Sequence, residues 1–448
     1  MSTKAASTLN PGVRRREAWA WAMYDFANSG YTTVVITAIF NAYFVATVAG
    51  NTAWATLAWS SALAVSYALI ILTAPAIGAY ADLKAAKKPL LAVTTIGCIA
   101  GTAALALVGP GDLWLAIVLI IVSNYFFGTG ENLIAAFLPE LARGRALGRL
   151  SGLGWGLGYV GGLLTLGACL AYVTHAQTLG QPPSAFVPVT MLITAGLFAL
   201  AALPTFVWLR ERATPLQSLE TGISAAYARV RETLRHARRY PDLFRFLVCI
   251  VFYQAGVQAV IALAAVYAQQ AMGFDTRSSI ELILVVNVTA ALGAVVFGHY
   301  QDRLGHRRAI ALTLWGWLAT VVLAWFATTP GLFWVAANLA GLCLGASQSA
   351  GRALVGFLSP ATHRAEFFGL WGLAVKLSSI LGPITYGLAV WLTAGAHRPA
   401  MLTLGLFFVL GLVILSKVDV RRGRRTAIKN SLDRLARNAA VEYNSTLT

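Results

Sequence analysis

Residues 17–40 read EAWAWAMYDFANSGYTTVVITAIF, an apolar run that is long enough to cross a lipid bilayer. Asp25 and Asn28 lie within this run, about one helical turn apart. An ionised carboxylate at membrane depth is costly unless a partner stabilises it, and such residues mostly line pathways or binding sites. The stretch therefore predicts a membrane-spanning helix that carries a functional carboxylate.

The whole chain has the composition of a membrane protein. Of its 448 residues, 58% are hydrophobic and 11% are charged, whereas a soluble domain has about 25% charged residues. Long apolar spans recur along the sequence, and each must be a helix because lipid cannot satisfy exposed backbone polar groups. We place twelve of them, near residues 18–47, 55–80, 89–109, 113–137, 151–174, 186–209, 243–268, 278–300, 309–328, 331–357, 367–393 and 400–417.

The positive charges are distributed unequally between the two sides of these spans. Of the 34 Lys and Arg residues, the loops opposite the N-terminus contain only Arg277 and Arg398, and Arg352 and Lys376 lie within spans. The positive-inside rule therefore predicts that both termini are cytoplasmic. Topology and contact with anionic lipid also account for the net charge of +17, so we expect membrane lipid and no nucleic acid as a partner.

The two halves of the chain share sequence patterns. The segment GAYADLKAAKK at 78–88 has the counterpart GHYQDRLGHRR at 298–308, and FLPE at Phe137 is matched by FLSP at Phe357. Such a repeat is typical of transporters that are built from two bundles with a site at their interface. We therefore predict an all-α polytopic membrane protein with twelve transmembrane helices in two pseudo-symmetric six-helix bundles.

The polar segments outside the bundles carry amphipathic patterns. We divide the chain into a cytoplasmic N-terminus, a first bundle, a cytoplasmic linker, a second bundle and a basic cytoplasmic tail, at 1–17, 18–209, 210–242, 243–417 and 418–448. Apolar residues of the linker recur at three- and four-residue steps among arginines, which predicts an amphipathic helix on the membrane surface. They are Leu219, Ile223, Tyr227, Val230 and Leu234. The tail repeats this pattern more weakly, and a solvated tail is an equal alternative.

Several patterns argue against other classes of protein. Gly156, Gly158 and Gly161 satisfy the dinucleotide-binding spacing G-x-G-x-x-G, but no strand precedes them and they lie in an apolar span, where small residues permit close helix packing. No phosphate-binding loop motif occurs, the four cysteines have no metal-site spacing, and none of the six histidines lies at the middle of a span. We therefore expect no enzyme activity, no cofactor and no bound metal.

The segment at 298–308 resembles the loop signature G-x-x-x-D-R-x-G-R/K-R/K of the major facilitator superfamily. Gly298 permits close helix approach, and Asp302 can face the N-terminus of a neighbouring helix. Arg303, Arg307 and Arg308 would anchor the turn in the cytoplasm. We expect this segment to take part in gating.

The first copy of the signature, at 78–88, is less complete. It keeps the residues Gly78, Asp82, Lys87 and Lys88. Leu83 and Ala85 stand at its Arg and Gly positions, so the second copy is the better match for a gating role.

Three separated stretches are similar to the autophagy-related vacuolar amino-acid effluxer-like branch of that superfamily. They are WAMYDFANSGYTTVVITAIF, AFLPELA followed by GRLSGLGWGLGYVGG, and EFFGLWGLAVKLSSILGP. The resemblance covers nearly the whole chain and implies the twelve-helix fold, secondary transport by a monomer and, more weakly, amino-acid export. Fungal vacuolar members have longer loops than this compact chain, so the resemblance favours a bacterial inner-membrane protein.

Polar and charged residues inside the spans form the candidate substrate or proton site. They are Asp25, Asn28, Glu131, Asn132, Gln254, Gln258, Gln348, Arg352 and Lys376. The resemblance implies that spans one, four, seven and ten line a central cavity, and three of the four charged residues fall on those spans. Intramembrane residues of this kind usually mark substrate paths or proton relays.

We expect Glu131 to pair across the interface with Arg352 or with Lys376 when the cytoplasmic side is closed. A substrate or a proton would weaken this pair and permit the rocking motion. Asp25 or Glu131 could carry the proton, since desolvation favours the neutral acid and a nearby cation opposes it. The alternatives are fixed buried ion pairs that specify packing and, for the amides, hydrogen bonds between helices.

The leading functional prediction is a secondary transporter that works by alternating access. It would export or exchange a small zwitterionic solute such as an amino acid, with a proton as the candidate coupling ion, because the predicted cavity carries both signs of charge. One alternative is a lipid or amphiphilic drug exporter of the same fold. Another is a transport-inactive membrane sensor. The identity of the solute and the direction of net transport stay open.

Overall fold

The computed structural model describes residues 9–50, 54–144, 146–213, 215, 227–228, 231–232, 239–274, 276–393 and 397–430. Twelve helices in these ranges are long and apolar enough to cross a membrane, which confirms the predicted fold class. In chain order they are α1 (Arg15–Val48), α2 (Ala55–Lys84), α3 (Lys87–Ala104), α4 (Leu113–Ala135), α5 (Ala146–Thr178), α6 (Pro183–Trp208), α7 (Pro241–Met272), α8 (Thr276–Leu304), α9 (His306–Phe326), α10 (Pro330–Leu358), α11 (Arg364–Leu392) and α12 (His397–Ser416). Most of the predicted linker helix lies outside the described residues.

Proline and glycine mark several of the helix boundaries. Pro183, Pro241 and Pro330 stand in the first turns of α6, α7 and α10, where the missing N–H costs no hydrogen bond. Gly273 ends α7 with φ of 69°, and Gly305 separates α8 from α9 with φ of 87°. Glycine is favoured at both positions because a side chain would strain a backbone with positive φ.

The second half of α1 is wound more loosely than an ordinary α-helix. After the α-helical turns of Arg15–Tyr31, the chain forms π-helical segments at Thr32–Ala38 and Phe44–Val48. Such segments are rare and occur mostly at functional sites. They widen the half of α1 that lies furthest from the N-terminus.

Large apolar side chains cover the outside of the helices. The exposed fractions are 66% for Leu72, 67% for Ile96, 77% for Trp114 and 65% for Leu200. An apolar exterior of this extent is unsuited to water, and it matches the hydrocarbon of a bilayer. The protein is therefore an integral membrane protein.

Helices α1–α6 form the N-terminal bundle and α7–α12 the C-terminal bundle, and the two meet where α5 packs along α8 and α2 along α11. Glycines permit these contacts: a Cβ atom at Gly298 would lie 2.8 Å from the carbonyl oxygen of Gly148 and 3.1 Å from Cα of Gly152. Gly78 of α2 likewise faces the backbone of Ala365 in the first turn of α11. These contacts lie near the start of α1 and the end of α12. We call this side the termini face and the other side the opposite face.

Each bundle contains an ion pair between the segment after its last helix and the first turn of its first helix. In the N-terminal bundle, Arg212 Nη2 lies 2.8 Å from Glu17 Oε2. In the C-terminal bundle, Arg422 donates to the buried carboxylate of Asp242, from Nη2 at 2.7 Å and from Nε at 2.8 Å. Both pairs join the ends of a bundle on the termini face, and the second has the two-bond geometry that makes arginine–carboxylate pairs specific.

Part of the predicted tail packs on the C-terminal bundle. Residues 420–430 are helical, with Gly423 and Ala427 buried and Arg425 exposed. Arg424 of this helix donates to the carbonyl of Phe357, in the last turn of α10, at 3.0 Å. The described part of the tail therefore binds protein on one face and is basic on the other.

We expect Arg422→Gln to lower the Tm of the purified protein by a few degrees, because the buried carboxylate of Asp242 would lose its two-bond partner. Thermal unfolding in detergent measures the change. Arg425→Gln is the matched control, since its side chain is exposed on the same helix, and we expect its Tm to be unchanged. An equal decrease in both variants would contradict the role of the Arg422–Asp242 pair.

Candidate functional site

A cavity of about 660 Å³ lies between the two bundles. Along α1 it is lined from Asp25 to Asn41, which corresponds to roughly 24 Å at helical rise. Trp59, Ile261 and Pro383 line it toward the opposite face. Because the bundles are in backbone contact at the termini face, the cavity is closed there and extends toward the opposite face.

The end of the cavity nearest the termini face is built around Arg352 of α10. Its Nη2 lies 2.7 Å from Oδ2 of Asp25 on α1. It also donates twice to Ser151 of α5, from Nε to Oγ at 3.1 Å and from Nη2 to the carbonyl oxygen at 3.0 Å. The rings of Trp21 and Trp155 lie against the guanidinium, with centroids 4.7 and 5.3 Å from Cζ. We call these five residues the Arg352 cluster, in which a C-terminal-bundle cation is held by N-terminal-bundle groups.

A second ion pair crosses the interface between α4 and α11. Glu131 Oε2 and Lys376 Nζ are 3.6 Å apart, which is longer than a hydrogen bond. The ammonium lies 5.3 Å from the ring centroid of Tyr67 and 5.8 Å from that of Phe127. The side chains of Glu131 and Lys376 are 24% and 11% exposed, whereas those of Asp25 and Arg352 are 12% and 3% exposed. The second pair is thus looser and more accessible than the first.

The predicted amide residues occupy three environments. Asn28, Gln258 and Gln348 line the cavity, and Oδ1 of Asn28 is buried with no hydrogen-bond partner among the described residues. Gln254 lies behind the cavity wall and donates to Gln348 at 2.6 Å. Asn132 lies outside the cavity lining and packs against Gly372 of α11, so we remove it from the candidate site. The reason is helical geometry, because the residue after Glu131 points about 100° away around the axis.

The cross-bundle pairing differs from part of the sequence expectation. Of the two partners expected for Glu131, the structure brings Lys376 to it, and Arg352 pairs with Asp25. Trp21, Trp155 and Ser151 carry no charge, so a search for intramembrane charges does not find them. Their spacing could have identified them. Trp21 is four residues before Asp25, and Ser151 is four residues before Trp155, so the members of each pair share a helix face.

The first copy of the gating motif lies at the termini face. Asp82 Oδ2 accepts a hydrogen bond from the backbone N–H of Glu366 at 3.0 Å, in the first turn of α11, where a helix N-terminus favours a carboxylate. Lys87 forms a buried salt bridge with Glu140, and Lys88 donates to a backbone carbonyl just after α6 at 2.6 Å. Asp82 therefore joins the two bundles, whereas the lysines join parts of the N-terminal bundle.

The second copy lies at the equivalent place between α8 and α9. Gly298 packs on the backbone of α5, and Asp302 lies beside the first turn of the same helix. Arg307 donates to the carbonyl of the last residue of α12 at 2.9 Å, and Arg303 and Arg308 are exposed. Each motif copy thus places a carboxylate near the N-terminus of a helix in the other bundle.

Solved structures share this architecture. The human organic anion transporter MFSD10 (TETRAN) matches with a TM-score of 0.71 and 15% identity, over 90% of this chain and 99% of that chain. The transporter FucP in the outward conformation matches with a TM-score of 0.70 and 14% identity, over 90% and 98% of the two chains. At such identities the likeness establishes the fold, which is that of the major facilitator superfamily. The fold and the sequence relatives together define an MFS-type transporter.

The sequence assigns the chain to one branch of that superfamily. The family model described as "Vacuole effluxer Atg22 like" matches residues 55–428, so the chain belongs to this family. The uncharacterized MFS-type transporter YxiO of Bacillus subtilis (strain 168) is 28% identical over 405 residues, which are 89% of this chain and 94% of that protein. Autophagy-related protein 22 of Coccidioides immitis (strain RS) is 26% identical over 421 residues, covering 76% of this chain and 68% of the relative.

Proposed function

We propose that this protein is a secondary active transporter that exports or exchanges a small zwitterionic solute, such as an amino acid. The observation that carries the proposal is a single cavity between the bundles that holds two acids and two bases: Asp25, Glu131, Arg352 and Lys376. A zwitterion offers a carboxylate to a base and an ammonium to an acid, and such charge-assisted hydrogen bonds are strong. The description of the family as effluxers supports export.

Alternating access requires the Arg352 cluster to separate, because it joins the two bundles at the closed end of the cavity. A proton on Asp25 would neutralise that carboxylate and weaken its attraction for Arg352. Glu131, beside Lys376, is the second candidate carrier. We propose that transport is coupled to protons through these carboxylates.

We further propose that the protein is a monomer in a bacterial inner membrane with both termini in the cytoplasm. The distribution of the 34 Lys and Arg residues supports this orientation. The exposed arginines of the helix at 420–430, such as Arg425, lie on the termini face, where they can contact anionic lipid. In this orientation the termini face is cytoplasmic, and the cavity extends toward the outside.

Uptake and counterflow in proteoliposomes test the function. The purified protein would be reconstituted and supplied with a mixture of labelled L-amino acids, with and without an imposed pH gradient. We expect movement of some amino acids that exceeds the flux into protein-free liposomes and that falls when a protonophore removes the gradient. No movement of any amino acid under either condition would contradict the zwitterion proposal. Amino-acid movement that is the same with and without the pH gradient would contradict proton coupling and leave the transport proposal intact.

A further inference from the structure

We infer that the two interfacial ion pairs have different tasks: Glu131 and Lys376 bind the charged groups of the solute, and the Arg352 cluster holds the termini face closed. The inference rests on the proposed function and makes it more specific. It predicts that the solute carries an ammonium and a carboxylate on the same carbon, as an α-amino acid does.

The guanidinium of Arg352 is already occupied by protein groups. Ser151 accepts two of its hydrogen bonds, Asp25 lies 2.7 Å away, and two indole rings lie within 5.3 Å of Cζ. The side chain is 3% exposed. A solute carboxylate would have to displace Ser151 or Asp25 to reach it, which would leave buried polar groups unpaired. Arg352 is therefore poorly placed to bind solute and well placed to join the bundles.

Lys376 and Glu131 have the opposite character. All four charged residues line the cavity, but the charged atoms of Lys376 and Glu131 are 3.6 Å apart, too far for a hydrogen bond. The ammonium of Lys376 is otherwise flanked by the rings of Tyr67 and Phe127, which attract a cation without using its N–H donors. Both side chains can thus exchange a weak mutual contact for direct hydrogen bonds to a ligand.

The placement of these two residues also selects the ligand. The carboxylate of an α-amino acid can meet Lys376 while its ammonium, one carbon away, meets Glu131, so that both charges remain paired. A monocarboxylic acid would leave Glu131 beside a second negative charge, and an amine would leave Lys376 beside a second positive charge. The pair therefore discriminates against solutes that carry only one of the two groups.

Solute bound in this way would connect α4 of one bundle to α11 of the other. Glu131 belongs to the N-terminal bundle and Lys376 to the C-terminal bundle. The contacts of a bound zwitterion therefore depend on the relative position of the two bundles. A ligand shifts a conformational equilibrium only through its different affinity for the two states. Binding across the interface supplies that difference, while the Arg352 cluster opposes opening of the termini face.

The test separates binding from gating in the full-length protein. Binding of a labelled L-amino-acid mixture would be measured on purified protein, with matched monocarboxylic acids and amines as competitors. Gating would be followed by the distance between spin labels on Arg143→Cys and Leu304→Cys, which are exposed positions at the termini face of opposite bundles. The four native cysteines are buried, so the labels should react at the introduced sites.

We expect Lys376→Gln and Glu131→Gln each to weaken amino-acid binding at least tenfold and to leave the label distance unchanged. Arg352→Lys keeps the positive charge and loses the planar set of guanidinium N–H donors. We expect this variant to lengthen the distance between the spin labels, with a much smaller effect on amino-acid binding. Size-exclusion chromatography and thermal unfolding would verify that each variant is folded. The matched acids and amines should not compete with the amino acids.

Three outcomes would overturn the inference. The first is wild-type amino-acid binding that survives in both Lys376→Gln and Glu131→Gln, and this result leaves the proposed function intact. The second is loss of binding in Arg352→Lys with an unchanged distance. The third is absence of binding by the wild-type protein, which would overturn the proposed function as well.

Discussion

Gly152→Val is expected to hold the termini face open and to reduce transport roughly tenfold or more. A side chain at this position of α5 would meet the carbonyl oxygen of Ala294 on α8, and its Cβ would lie 3.0 Å from Cα of Gly298. Backbone atoms cannot move aside as a flexible side chain can. Overpacking costs about 1–3 kcal/mol, and about 1.4 kcal/mol changes an equilibrium tenfold. The cost falls on the closed state only, so the equilibrium shifts to the state in which the bundles are apart.

Counterflow in proteoliposomes measures the loss of transport, and labels on Arg143→Cys and Leu304→Cys report the opening of the termini face. Gly167→Val is the matched control, because Gly167 lies on the same helix and a Cβ there has no neighbour within 4 Å. We expect the control to keep wild-type transport and the wild-type label distance. Equal losses in both variants would show that valine damages α5 itself, and the interpretation of the interface would then be wrong.

Asp25→Asn is expected to abolish the dependence of transport on a pH gradient and to lower the free energy of unfolding by about 3 kcal/mol. The substitution keeps the shape of the side chain and removes the charge that lies 2.7 Å from Arg352. An arginine that is 3% exposed would then be an uncompensated buried cation, and breaking such a pair costs about 3–5 kcal/mol. Denaturant unfolding in detergent measures the stability, and proteoliposome uptake over a range of pH measures the coupling.

The double variant Asp25→Asn with Arg352→Gln is the control for this prediction. Removing both charges removes the uncompensated cation, so we expect the double variant to recover most of the lost stability. Its transport should stay independent of the pH gradient. A double variant that is destabilised by the sum of the two single effects would show that the two residues do not interact. An unchanged rate and pH dependence in Asp25→Asn would exclude Asp25 from the mechanism.

The sequence predicts the twelve spans because the length of an apolar run determines whether it can cross a bilayer. It also predicts a functional carboxylate at Asp25 with Asn28 about one turn away, and in the structure both residues line the cavity. Both conclusions depend on local spacing alone.

The partners of the interfacial charges depend on how closely the bundles approach each other. Arg352 lies on α10, and whether it pairs with Asp25 or with Glu131 depends on how closely α5 packs at the interface. Gly152 and Gly298 permit this close packing because they have no side chains. Nothing in the pattern of a single span encodes that distance. Asn132 shows a second limit, since a polar residue adjacent to a cavity carboxylate can still face a neighbouring helix.

The Arg212–Glu17 and Arg422–Asp242 pairs each connect the two ends of one six-helix bundle, so that each bundle is closed into a ring. Each pair fastens the segment after the last helix of a bundle to the first helix of the same bundle, so neither pair has to break when the bundles separate. A rocking motion can therefore proceed as the rotation of two stiff bodies, with the resistance concentrated in the Arg352 cluster, in Asp82 and in the glycine contacts between them. The linker then has only to connect the two bundles, because the contacts between the bundles determine how they align.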